Sequence, residues 1–187
     1  MFLNPRADLF NFMFTKDFIP TTIASKYENY LNSVVGSPIT KAIDYVNYSI
    51  QGINLPGLSY DIVEQMSPYG WTRKHRSSTH PQELMSKELT VTMKMLDGFV
   101  NYWLMFDVLS YYYEVSKPSE GYIPDQRIEI LDSCGNVVRT ILLKRMLYNN
   151  ISELNLNFSS NNPEFLTFDL SFVYNQLDFG NSFDSSH

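Results

Sequence analysis

Three stretches of this sequence alternate between apolar and polar residues, and a period of two suits only strands with one buried face. In Glu88–Met95 the residues Leu89, Val91, Met93 and Met95 point one way, while Glu88, Thr90, Thr92 and Lys94 point the other. Leu166, Phe168, Leu170, Phe172 and Tyr174 repeat the pattern near the C-terminus, and Phe10, Phe12 and Phe14 set it within Asp8–Thr15. Arg127–Leu131 and Val137–Arg145 read as a hairpin turning through Asp132-Ser133-Cys134-Gly135-Asn136. Ser59–Gln65 reads as a further strand, Leu154, Leu156 and Phe158 alternate again, and Ser159–Pro163 is a turn. The sum is about seven strands, so the chain is mainly β.

Two regions break the period. Across Lys16–Tyr45, Ile23, Tyr27, Tyr30, Leu31 and Val34 recur at helical spacing, with Thr21 or Thr22 as N-cap and Gly36 as stop. Ser37-Pro38 then offers a cap and a first-turn proline for a short helix carrying Ile39, Ala42, Ile43 and Val46 on one face; the pattern leaves open where this helix ends, and Tyr48–Leu55 could already be extended. Gly98–Tyr113 is the strongest helix. Phe99, Tyr102, Trp103, Phe106, Leu109 and Tyr113 form a stripe, which makes Phe99, Trp103 and Phe106 the expected core side of a central helix. Truncating a Trp103 packed in that way would cost ~3–5 kcal/mol. The opposite side carries Leu104, Met105, Val108 and Tyr112, so a second face also wants cover. Ser67–Ser86, with Pro68, Gly70, Pro81 and the basic run Arg73-Lys74-His75-Arg76, reads as a long loop or an extended hairpin arm. The 187 residues are expected to form a single domain, with a helical insertion over 16–45 and a loose tail over 180–187.

Composition narrows the function. The formal net charge is −6, which disfavours a non-specific duplex-binding module. Residues 147–187 hold no lysine or arginine and five acids: Glu153, Glu164, Asp169, Asp178 and Asp184. That imbalance serves solubility or a surface that repels polyanions. One cysteine, Cys134, allows no intrachain disulfide. No run reaches the ~18 apolar residues of a membrane span.

Catalytic signatures are not found. His75 and His80 are five apart in a loop and His187 is terminal, so no zinc ligand set stands at its usual spacing. Asp132-Ser133-Cys134-Gly135 lacks a G-x-S-x-G context. Neither G-x-G-x-x-G nor G-x-x-x-x-G-K-[ST] occurs. A carboxylate pair for glycoside hydrolysis is defined in space, and nothing in the sequence favours one. No catalytic residue, metal or cofactor is therefore expected.

The order of elements resembles the tail tube protein family of contractile phages, which includes tube-initiating baseplate proteins and the type VI secretion inner-tube protein. The resemblance rests on DLFNFMF, on INLPGLSYDIVEQ with its proline-glycine bend, on the basic arm WTRKHRS and on ELTVTMKMLDGFVNYWLMFDVL, where a strand leads through an acid into an aromatic helix. The end, LYNNISELNLNFSSNNPEFLTFDLSFVYNQLDF, looks like the family's closing strand pair. The resemblance spans Asp8–Phe14 and Ser49–Phe179 and leaves the helical insertion as an addition.

It implies two packed antiparallel sheets in a barrel or sandwich with one flanking helix. It also implies a structural, non-enzymatic virion protein made in the bacterial host cytoplasm, whose hexameric rings stack into a tube that conducts DNA. Partners would be further copies, other tail, sheath or baseplate proteins, and DNA passing without specific binding; no membrane is involved. Under this resemblance Trp71, Arg73, Lys74 and Arg76 are candidate contacts between subunits or rings. Glu153, Glu164 and Asp169 are candidate acidic residues of the bore or surface. A tube-initiating, hub or adaptor protein at a tube end is one alternative. A β-sandwich glycan-binding module, motivated by 13 tyrosines and two tryptophans, is another; a hydrolase has no support.

Overall fold

A computed structural model describes residues 9–33, 38–55, 62–76, 88–114, 121–154 and 166–181. Among these, eight strands and three α-helices are formed: β1 (Phe10–Phe12), α1 (Thr21–Ser33), α2 (Ala42–Ser49), β2 (Ile50–Asn54), β3 (Ile62–Met66), β4 (Thr72–Arg76), β5 (Glu88–Lys94), α3 (Val100–Glu114), β6 (Gln126–Leu131), β7 (Val137–Ile151) and β8 (Thr167–Asn181). The chain is mainly β, as expected. Six strands build one curled antiparallel sheet in the order β1-β6-β7-β8-β5-β2, and β3 with β4 forms a separate hairpin.

The alternating residues supply the buried face. Leu89, Val91 and Met93 of β5 and Leu170 and Phe172 of β8 are fully buried, with Phe168 at 2% exposure. In β7 the buried set runs Ile141, Leu143, then Met146 and Tyr148; in β8 it runs Phe172, Tyr174, then Leu177. Both strands therefore shift phase by one residue at the same level, between the pairs Lys144–Gln176 and Met146–Tyr174. Arg145 sits there in the left-handed region at φ 52°, and the Asn175 side chain donates to its carbonyl at 3.3 Å. The ribbon turns its inner side over at that point and keeps an apolar face toward the core along both halves. The sequence reading ended this strand at Tyr174 and placed a tail over 180–187. Instead Gly180 pairs with Thr140 and Asn181 with Arg139, and residues 182–187 lie outside the described set.

The helices cover the sheet's apolar face. Tyr102, Leu104, Met105 and Val108 of α3 are buried in the core, and the stretch before β2 adds Phe18, Ile19, Ala42 and Val46 to it. Phe18 stacks on Phe14 with ring centroids 4.2 Å apart. α1 is tied to α3 through Asp107, which accepts from Lys26 Nζ at 2.7 Å and from the Tyr27 hydroxyl at 2.8 Å. α2 starts at Ala42, later than Pro38, because its first amide is capped from a distance: Ala42 N donates to Glu28 of α1 at 3.3 Å.

The stripe chosen for α3 from the sequence is corrected. Phe99 packs against the core, but Trp103 is 48% and Phe106 44% exposed. The helix carries large apolar residues on more than one face, so periodicity alone does not tell which side the sheet takes. Leu154 follows the end of β7 and packs on the core; its expected partners Leu156 and Phe158, and the turn over 159–163, fall outside the described residues.

Burial raises several phenols. Tyr112 and Tyr174 are each pushed up to about 12, and Tyr148, whose hydroxyl has no hydrogen-bond partner among the described residues, is raised strongly. A raised phenol leaves the neutral fold untouched below about pH 10 and weakens it above, because only the unfolded chain ionises freely there. Titration of tyrosinate absorbance should therefore show a late fraction that ionises together with loss of near-UV circular dichroism. In urea, Leu104→Ala should cost ~2–5 kcal/mol and Trp103→Ala only about 1 kcal/mol; equal costs would contradict the assignment of the buried face.

Candidate functional site

Antiparallel sheets leave one row of backbone donors and acceptors at each edge. Here the edges are β1 and β2, and the curl of the sheet brings them to the two sides of one open groove of about 990 Å³. Leu131 N donates to Leu9 O at 3.0 Å, which makes Leu9–Leu131 a hydrogen-bonded pair. Such pairs alternate along an antiparallel ladder, so Asn11 also bonds to β6, and the backbone groups of Phe10, Phe12 and Phe14 turn to the open side.

Among the described residues, Phe14 alone is met there by a side chain. Asn47 of α2 accepts from Phe14 N at 2.8 Å and donates to Phe14 O at 3.2 Å. One carboxamide makes the two bonds that a neighbouring strand would make, and it stops the ladder. β2 is irregular in its turn, with a register shift between Ile50 and Gly52. The groove walls are apolar at Phe10, Ile50 and Ile53, and its mouth carries Met13 at 60% and Tyr48 at 71% exposure. The carboxylate of Asp44, exposed and without an ion pair among the described residues, lies at the same groove.

The second feature is the β3–β4 arm. Ser67-Pro68-Tyr69-Gly70-Trp71 closes it: Gly70 N donates to Ser67 O and Ser67 N to Trp71 O, each at 2.9 Å. Proline after the first turn residue and glycine at φ +80° are what such a turn demands. The other hairpin uses the same device, with Gly135 at φ +85° and Asp132 accepting from the amides of Cys134 and Asn136, each at 2.8 Å. These bonds, the one from the Asn136 side chain above all, hold the Asp132 carboxyl below its ordinary range. Asp132, Ser133 and Cys134 are thus turn residues.

The arm stands in solvent. Met66, Tyr69 and Trp71 at its end are 79%, 88% and 75% exposed. Of the basic residues expected at contacts, Arg73 is exposed and unpaired among the described residues, Lys74 is 3.0 Å from Glu64, and Arg76 pairs in the ladder with Ile62. Trp71 sits on a projecting tip, whereas a sugar-stacking platform needs a hollow.

The solvent face of the six-stranded sheet is polar, and some of its charges are paired locally, while Arg145 and Glu88 are exposed on it without an ion pair among the described residues. Lys144 bonds Asp178 at 2.6 Å, Arg127 bonds Glu129 at 2.6 Å, and Thr92 donates to Asp169 at 2.7 Å. Of the candidate acids, Asp169 is exposed on this face, Glu153 is exposed after β7, and Glu164 lies outside the described residues. Among the described residues no three His, Cys, Asp or Glu side chains gather in a metal-binding group, and no helix is long and apolar enough to cross a membrane. The groove and the edges were missed by sequence reasoning, since they unite residues from opposite ends of a strand order that is not sequential.

No family model and no curated protein matches the chain. Among solved structures it is similar to a chain of the anti-feeding prophage cap (AFP tube terminating cap), at 9% identity and TM-score 0.48 over 71% of this chain and 80% of that one. A chain of the PVC extracellular contractile injection system sheath/tube terminator in its extended state matches at 12% identity and TM-score 0.48, over 70% and 84%. An Hcp protein matches at 10% identity and TM-score 0.39, over 92% and 97%.

Replacing Asn47 by alanine removes both bonds to Phe14 and leaves a partly buried amide and carbonyl unpaired. Urea titration should show a loss of ~1–3 kcal/mol, and a change within error would mean that the carboxamide does not hold the end of β1.

Proposed function

We propose that this chain is a structural subunit that assembles with further copies of itself head to tail, in rings that stack into a phage-tail-type tube. The observation that carries the reading is a curled sheet with both edges open onto one apolar groove, in a chain that also raises an apolar-tipped arm. Open edges and exposed aromatic tips are liabilities in a monomer and are removed by association. Different surfaces meeting head to tail generate a ring when the rotation closes. Hexameric closure, and sheath or baseplate partners above and below, belong to the same proposal, as does a place in the tail of a virion.

In this reading the solvent face of the sheet lines the bore. Its threonine, serine and asparagine side chains and its paired lysine and arginine residues offer a polyanion few free cations among the described residues, so DNA passes without being bound. A subunit at a tube end, such as a hub or initiator, shares the same joints and differs in its vertical partners.

Negative-stain electron microscopy of the purified protein should show annular particles or tubes, and sedimentation should show a concentration-dependent oligomer. A single monomeric species at millimolar concentration would overturn the proposal. Immobilised protein should retain no more duplex DNA than a blank surface at physiological salt; salt-sensitive retention would argue against the bore.

A further inference from the structure

Resting on the reading of the chain as a self-assembling subunit, we infer that the tip of the β3–β4 arm of one copy seats in the groove between β1 and β2 of the next. Within one copy the tip is exposed and the groove is open, so neither satisfies the other intramolecularly. Strands of five residues give the arm a reach of ~16 Å, enough to carry Tyr69 and Trp71 beyond the body of their own subunit.

The two surfaces match in chemistry. The tip offers Met66, Tyr69 and Trp71, and the groove offers the side chains of Phe10, Ile50 and Ile53 with Tyr48 at its mouth. The outward backbone groups of Phe10 and Phe12 face the same space and supply hydrogen bonds to an extended segment entering it. Charge agrees as well. The arm between Ile62 and Arg76 carries Arg73, Lys74 and Arg76 against Glu64 alone, while the chain as a whole is −6. Arg73 on the arm and Asp44 at the groove are both exposed and both lack an ion pair among the described residues. Because tip and groove are different surfaces, the joint is heterologous and propagates from copy to copy.

Gly52 permits a direct test. It lines the groove, and a Cβ placed on it meets nothing within 4 Å. Gly52→Phe therefore adds a ring to the groove from a position whose Cβ meets no neighbour, and Tyr69→Ser with Trp71→Ser strips the tip at exposed positions. In sedimentation, the plugged and the tipless variants should each self-associate at least ~10-fold more weakly than the parent chain. A mixture of the two should pair, because the tipless copy keeps a groove and the plugged copy keeps a tip. Asp44→Lys and Arg73→Glu should each weaken assembly, and the two together should restore it.

If the plugged and tipless variants assemble as the parent does, or if the charge exchange restores nothing, this joint is wrong while the assembly reading stands. If the parent chain itself never associates, the assembly reading fails first. Circular dichroism of each variant confirms that the comparison is between folded proteins.

Discussion

A sheet of six strands that does not close must place the backbone groups of its two outer strands somewhere, and this constraint shapes the rest of the molecule. Buried or half-buried peptide groups without partners are costly. The chain meets the requirement with carboxamides at three strand ends. Asn47 bonds Phe14 beyond β1. Asn101, fully buried at the start of α3, accepts from Leu96 N at 3.1 Å and donates to Lys94 O at 2.7 Å, which fixes the end of β5 to the helix. Gln126 at the start of β6 donates to Pro124 O at 2.6 Å and accepts from Thr15 N at 3.3 Å. Among the described residues no side chain meets the outward backbone groups of Phe10 and Phe12, which stand opposite the other edge, β2.

The helices follow from the same sheet. Its apolar face spans β1 to β2, too wide for one helix, and α3 covers it together with the N-terminal helices. Phe18, Ala42 and Val46 reach full burial there, so the N-terminal helical stretch is built into the core. The polar face stays in water, and two of its cations, Arg127 and Lys144, each have an acid within reach. One side of the sheet makes the fold, and the other faces solvent.

Much of the sheet is legible in the sequence because a period of two has only one structural meaning. Leu89, Val91 and Met93, and Phe168, Leu170 and Phe172, point inward as their spacing says. The pattern misleads where geometry is set by a partner strand: Asn175-Gln176 looks like an end, yet β8 continues because β7 changes phase beside it at Arg145. It is silent where both faces are apolar, as at Trp103, and where a cap is distant, as with Glu28 and Ala42. The arm's turn was readable from Pro68 and Gly70. The groove that faces Phe10 with Ile53 was not, since only the finished topology brings those residues together. The acidic excess of residues 147–187 was readable in number but not in place, and Asp178 proves to be paired with Lys144.

The central claim is that the open strand edges become paired when copies join. Amide hydrogen exchange measured across a dilution series tests it most directly. The amides of Phe10 and Phe12 should exchange freely in the dilute monomer and gain protection in step with assembly, while Leu89 and Leu170 stay protected throughout. Oligomers that form with Phe10 and Phe12 still exchanging at the monomer's rate would contradict it.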